Sequence, residues 1–325
     1  MVRGLVNALG RPGRRHSEAA NTEARERGAP AEANIIQRVR ITALAENTVL
    51  GGGLLGEHGL SLLIEADGRR VLFDTGQGKV WLRNARRLGV DRQELDAVVL
   101  SHGHYDHTGG LAQVLAHARA APVFLHPAAI QPKYARMEEP PHRRIGLPGS
   151  SLRALRAHAA GVVWSQGPVE VCPGLHVTGE IPRRTGFEDA GGPFFLDQEC
   201  TRPDPLQDDQ ALWVASRAGL VVVLGCAHAG VINTLRHVAR LAGKRQVHAV
   251  LGGMHLGRAS AERIERTIQA LEEFRVQVVA PCHCSGWEAV TRLRHRCGAR
   301  VREFVTGSAL EFGQPSSATD QGASA

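Results

Sequence analysis

Residues 101–110 read SHGHYDHTGG, and within them His102, His104, Asp106 and His107 form the pattern His-x-His-x-Asp-His. Four potential metal donors in six residues are too dense for a packed core, because each buried imidazole or carboxylate would need its own hydrogen-bond partner. The run just before, LDAVVL at 95–100, is apolar and β-branched, as a buried strand should be. The run just after, LAQVLAHARA at 111–120, is amphipathic. The cluster therefore sits on a turn leaving a strand, where several side chains can be aimed at one point. A metal needs that arrangement and a core does not.

The stretch resembles the signature of the metallo-β-lactamase superfamily, whose members mostly use one or two bound metal ions to activate water. A second point of similarity is Asp74-Thr75-Gly76 after the strand-like VLF; in that family such a turn supports the metal loop. The resemblance covers roughly residues 36–312. It implies an α/β fold, a four-layer αββα sandwich with the site at one edge of the paired sheets.

A chain of 325 residues suits one large domain or two small ones, and a sandwich of this family uses most of that length for one. Residues 36–312 are therefore expected to form a single domain. Residues 11–33 alternate Arg, Glu, Ala, Pro and Gly without a hydrophobic period, and residues 1–35 read as a disordered leader; residues 313–325 read as a flexible tail. Aromatics make up only 4%, so the core should be chiefly Val, Leu, Ala and Ile. The formal charge is +7, with three lysines and the remainder arginine, a weak sign of anionic partners. No zinc ribbon, aromatic–basic alternation or basic recognition helix occurs, so nucleic acid is not the expected partner. No run of about 18 apolar residues exists, and no membrane span is expected. The six cysteines contain no Cys-x-x-Cys pair, and no secretory hydrophobic region opens the chain. Free thiols in a reducing compartment, the cytoplasm, are the expectation.

Along the chain, two strands should meet at an Asp67-Gly68 hairpin. A helix over 79–88, a strand over 95–100, a helix over 110–119 and a strand over 122–125 then alternate, which implies parallel pairing with helices outside. Two irregular stretches interrupt this order, 126–150 and 182–209, both punctuated by proline. Loops of that length are usually functional or disordered, and these are expected to wall a substrate pocket. In the second half, LVVVLGC, HAVLGG and VQVVAP each end at a histidine-bearing turn: Cys226-Ala227-His228, Met254-His255 and Cys282-His283-Cys284. In parallel β/α arrangements the carboxyl ends of strands share one edge. A lone histidine after a strand is more often solvated than ligating; three such turns together with the earlier motif reverse that reading. The predicted metal set is His102, His104, Asp106, His107, His228, His255 and His283. His117, His158, His237 and His295 lie on helical patterns and are expected at the surface.

The combination EHGLS, FDTG, SHGHYDHTGGL, DDQAL, GCAHAG, GGMHL and PCHCSG is similar to one subgroup of the superfamily. That subgroup is named for a 7,8-dihydropterin-6-ylmethyl-4-(β-D-ribofuranosyl)aminobenzene 5′-phosphate synthase, which joins a pterin to an arylamine ribosyl phosphate. The usual family pattern also has a bridging Asp after a strand in the second half. Here the corresponding turn presents Cys226 and His228, and the nearest carboxylates in sequence are Asp208 and Asp209, with Glu180 a further candidate. A mononuclear site and an unusual second site using His228 both stay open.

The resemblance implies that His102, His104 and one later histidine hold a first metal. Asp106, His107 and another later histidine would hold a second. Asp106 and His58 are assigned catalytic roles, Asp106 orienting the nucleophile and His58 transferring a proton. Zn²⁺ is the first expectation for such donors, and ligand type does not separate it from Mn²⁺ or Fe²⁺. Arg143, Arg144, Arg183 and Arg184 could pair with a phosphate. The leading reading is a metal-dependent hydrolase of an anionic, phosphorylated or ester-bearing small molecule. The alternatives are a dihydropterin-linked synthase-like transferase and a mononuclear iron dioxygenase.

Overall fold

The structure is a computed structural model that describes residues 35–90, 94–243 and 245–313. Apart from Ile35 and Gly313, the expected leader and tail lie outside the described residues. Gly313 closes a strand.

The strands Ser61–Ala66 and Arg69–Phe73 form the expected hairpin, with Asp67 and Gly68 both at positive φ (44° and 83°), as a tight primed turn requires. They sit inside a seven-stranded sheet. Its order is Ala309–Gly313, Arg38–Ala45, Ser61–Ala66, Arg69–Phe73, Ala97–Val99, Val123–Leu125, Val162–Trp164. The last four of these run parallel to one another. A six-stranded sheet follows the order Val278–Cys282, Val247–Gly253, Gly219–Leu224, Leu212–Ser216, Leu175–Val177, Val169–Cys172, its first three strands parallel.

Alternation along the strands sorts their side chains into three apolar layers. Ile41, Leu62, Ile64, Phe73 and Val99 meet Val177, Leu212, Val214, Val223 and Leu251 between the sheets. Leu63, Leu72 and Val98 point the other way, onto Trp81, Leu111 and Val114 of the helices Trp81–Arg87 and Leu111–His117. On the far side, Leu220, Val222 and Val250 pack on Ile232, Leu235, Ile264, Ile268 and Leu293 of the helices Val231–Leu241, Ala261–Glu273 and Trp287–Cys297. Two sheets with helices on both outer faces make the αββα sandwich. Observed elements end one or two residues inside the expected boundaries, as fraying ends do.

Two expectations need correction. The stretches 126–150 and 182–209 are not wholly irregular. Tyr134–Ala135, Arg143–Arg144 and Phe194–Phe195 join them into a three-stranded sheet, whose two-residue strands are too short to show a period in sequence. His237 is buried rather than at the surface, and its Nδ1 lies 3.1 Å from the Arg240 guanidinium.

Candidate metal centre

Strand Arg69–Phe73 ends at Asp74, a fully buried carboxylate at φ 60°. Its Oδ1 accepts from the Ser101 amide at 2.7 Å, and its Oδ2 accepts from the Ser101 hydroxyl at 2.6 Å and from His107 Nδ1 at 2.7 Å. The Thr75 amide and hydroxyl both donate to the His107 carbonyl (2.7 and 2.9 Å). Across the cleft, Asp208 Oδ2 accepts from the Gly103 amide at 2.7 Å. The motif loop is thus clamped from both sheets. Gly103 itself is required, because a Cβ there would overlap the Ala129 backbone.

These bonds decide which nitrogen each imidazole presents. With the Ser101 proton committed to Asp74, His102 Nδ1 donates to Ser101 Oγ (2.9 Å), leaving Nε2 bare. His107 Nδ1 donates to Asp74, which likewise leaves Nε2 bare. His283 Nδ1 donates to Asn47 Oδ1 (3.0 Å), an oxygen identified by the Gly59 amide that also donates to it. His228 Nδ1 donates to the Ala190 carbonyl (2.9 Å), and its buried Nε2 has no partner. Holding Nδ1 on an oxygen so that Nε2 faces inward is how metal-binding imidazoles are oriented.

The bare nitrogens face one another. His107 Nε2 and His283 Nε2 are 3.2 Å apart, and His102 Nε2 lies 2.9 Å from His104 Nδ1. Two nitrogens on one tetrahedral zinc would be separated by roughly 3.3 Å, so these spacings suit a shared cation. Either a ring hydrogen or a cation has to lie between nitrogens this close. The donor atoms of His102, His104 and His228 lie within 4.8 Å of one another, as do those of His58, Asp106 and His283, and those of His102, His107 and Cys226. The residues present fit two adjacent cation pockets.

Burial drives the His104 imidazole down to about 3 and holds His102 and His228 well below the usual histidine range, so all three are neutral donors near neutrality. Burial also lowers His107, but Asp74 and Asp106 outweigh it and lift that ring to about 9, so Nε2 is bare only where a cation takes the place of its proton. Burial alone would raise Asp106; the surrounding imidazoles, His107 foremost, reverse this and keep its carboxyl well below the ordinary range. The negative field of Asp74 and Asp106 favours any cation at this spot.

All seven residues expected to bind metal therefore lie in one cluster, His255 at its edge. There His255 Nε2 contacts the Gly191 carbonyl (3.0 Å) and its Nδ1 is unpartnered. His58 reaches the cluster from an exposed position, with Nε2 3.3 Å from Asp106 Oδ2. Other sequence candidates fall elsewhere. Asp208 is spent on Gly103 and on Lys133 Nζ (2.9 Å), and Asp209 Oδ2 accepts from the Ala229 amide (2.8 Å) behind the Cys226 turn. Neither carboxylate occupies the bridging place. Glu180 is exposed, the Arg183 guanidinium donates to the Pro205 carbonyl, and the Arg184 backbone amide donates to Asn233 Oδ1. Only Arg143 stays beside the motif, over the Tyr105 ring and hydrogen-bonded to its hydroxyl. His126 and His142 accept from local amides, those of Ala128 and Met137.

Sequence reasoning assigned no role to four participants. Cys226 Sγ is 3.1 Å from His107 Nε2, and Cys284 Sγ is 3.4 Å from Cys226 Sγ. Phe194, carried in by the small sheet, packs its ring 5.1 Å from His104 and 5.4 Å from His228. The fully buried Lys133 joins the two long loops through Asp204 (2.7 Å) and Asp208. The Cys226 signal was present as a missing Asp; the other three carried none.

Comparison with known proteins agrees with this geometry. The metallo-β-lactamase superfamily model matches residues 55–191. The 7,8-dihydropterin-6-methyl-4-(β-D-ribofuranosyl)-aminobenzene-5′-phosphate synthase of Methanocaldococcus jannaschii is 31% identical over 289 residues, 85% of this chain and 98% of its own. An uncharacterized protein of the same organism is 30% identical over 82% of this chain and 96% of its own. A crystal structure of a metal-dependent hydrolase of the β-lactamase superfamily is 32% identical, with a TM-score of 0.73, over 85% of this chain and 100% of the other. With its signature loop, its paired sheets and a full-length relative all in agreement, this chain belongs to the metallo-β-lactamase superfamily, in the subgroup resembling the dihydropterin-linked synthase.

Proposed function

We propose that the chain is a two-metal enzyme of the dihydropterin-linked synthase kind, a transferase joining an activated dihydropterin to an arylamine that carries a phosphate. The observation that carries this reading is the near full-length similarity to the M. jannaschii synthase, over 85% of this chain and 98% of its own length. His102, His104 and His228 would hold one cation, and Asp106, His107 and His283 the other. Imidazole and carboxylate donors support Zn²⁺. Such cations supply positive charge to an anionic leaving group.

The remaining chemistry falls to the chain. The arylamine nitrogen attacks the methylene carbon on the pterin; the C–N bond forms as the C–O bond to a phosphate-type leaving group breaks, and that group departs with the electron pair. His58, 3.3 Å from Asp106 and open to solvent, takes the amine proton. Phe194 shields the imidazoles from water and offers a face for a flat ring. Arg143, at the rim beside Tyr105, pairs with the phosphate of the substrate. The separate, unbridged sulfurs of Cys226 and Cys284 support a reducing compartment such as the cytoplasm.

A hydrolase is the second reading, favoured by the crystal structure at 32% identity. Water then replaces the amine at the same centre. The two are separated by incubating metal-loaded protein with a 6-methylene-activated dihydropterin diphosphate and an arylamine ribosyl phosphate. A coupled product seen by mass spectrometry supports the synthase. Free dihydropterin alcohol alone supports the hydrolase, and no turnover of the pterin removes the synthase reading. One iron per chain with oxygen uptake would point to a dioxygenase instead.

A further inference from the structure

Resting on the two-metal reading, we infer that Cys226 supplies a thiolate shared between the two cation pockets, in the place of the missing bridging carboxylate. Cys226 is buried at the turn that ends strand Gly219–Leu224. Its sulfur falls within 4.8 Å of donor atoms in three separate groupings: with His102 and His107, with His228 and His255, and with His283 and Cys284. These groupings draw on both proposed pockets, and its 3.1 Å approach to His107 Nε2 sets it against a bare imidazole nitrogen.

A buried cysteine is usually a small hydrophobe among apolar neighbours. This one instead borders imidazoles, one of which, His228, has a fully buried Nε2 with no partner. A thiol has a single proton and can satisfy one such nitrogen at most; a thiolate between two cations meets the requirement of both sides. The backbone is built to bring it close. Gly225 leaves no room for a Cβ against Ser101, and a Cβ on Gly253 would stand 2.7 Å from Cys284 Sγ and 3.3 Å from Cys226 Cα. Asp208 is engaged by Gly103 and Lys133; Asp209 keeps a buried Oδ1 without a partner, but it is turned to the Ala229 amide through Oδ2 and enters none of the donor groupings found among the described residues. Cys284 lies 3.4 Å away and enters only one of the three groupings above, whereas Cys226 enters all three. Sulfur in this position favours zinc over harder ions such as manganese.

The full chain, stripped of metal by chelation and reloaded with Co²⁺, provides the test. Expected are two cobalt ions per chain with a near-ultraviolet thiolate-to-cobalt charge-transfer band, retained in Cys284→Ser and lost in Cys226→Asp, which still binds cobalt. X-ray absorption of the zinc-loaded wild type should show sulfur in the metal's coordination sphere, a readout that needs no variant to fold. Cobalt bound without the band, or a band that follows Cys284 instead of Cys226, overturns the shared thiolate alone. Failure to retain cobalt overturns the metal centre and this inference with it.

Discussion

The two halves of the sandwich build the same cluster in opposite ways. The first half delivers His102, His104, Asp106 and His107 within six residues, fixed by side-chain bonds from Asp74 and Thr75 of the same half and from Asp208 across the cleft. The second half delivers donors singly from three strand ends. It aims them through strained backbone: Ala227, His255 and His283 all have positive φ (53°, 48° and 54°). Such conformations cost of order 1–3 kcal/mol each for non-glycine residues and persist only where their surroundings over-determine them. One half relies on a hydrogen-bonded clamp and the other on conformational strain held by packing. Donor density makes the first half rigid; the second can be altered one turn at a time.

The clamp can be broken from a distance. Lys133→Met leaves Asp204 and Asp208 buried without their cation, and Asp208 is the residue that holds the Gly103 amide. Removing one partner from such a group should cost about 3–5 kcal/mol in urea denaturation. Metal content should fall with it; a variant as stable as wild type would show that the clamp does not depend on the loops.

Next in size is the contrast between halves. His104→Ala should release one metal per chain and reduce turnover by more than the roughly 100-fold that supporting contacts are worth, with circular dichroism unchanged. His255→Ala, at the edge of the cluster, should lose no more than about tenfold. Equal losses in the two variants would erase the distinction drawn between dense and dispersed donors. Asp74→Asn keeps the shape but weakens the orientation of His107, and should lower metal affinity about 10–100-fold by competition with a chelator. In the wild type, metal at about 100 times its dissociation constant should add about 2.7 kcal/mol to stability, and chelation should remove that increment.

The smallest effect contrasts an ordinary buried histidine with those of the cluster. His176 stacks on Trp213 at 4.3 Å, and burial lowers its pKa. The unfolded chain then takes up the proton more readily than the folded one. Stability from this group is present above the ordinary histidine value of about 6.5 and is lost as pH falls below it. His176→Phe retains the stack and should make stability fall less steeply with acidification through that window. An unchanged slope would show that His176 does not carry it.

What the sequence determined by itself was whatever contiguous residues can express. Strand–helix order, as at 69–73, 81–87 and 97–99, implied parallel pairing with helices outside, and the resemblance carried by the motifs implied the four-layer sandwich; the metal loop follows from donor density between His102 and His107. The convergence of His228, His255 and His283 was legible one step further on, because parallel strands end on a common edge. Only the tertiary structure decided which groups spend their bonding capacity on one another. Asp208 and Asp209 looked like metal carboxylates until Gly103 and Ala229 claimed them, and Cys226 looked like a gap until its sulfur came to rest beside His107. The small sheet that brings Phe194 over the imidazoles likewise pairs residues some 50–60 positions apart in strands too short to carry a period. Partner choice among buried polar groups is a competition across the whole fold, and its outcome has no local signature.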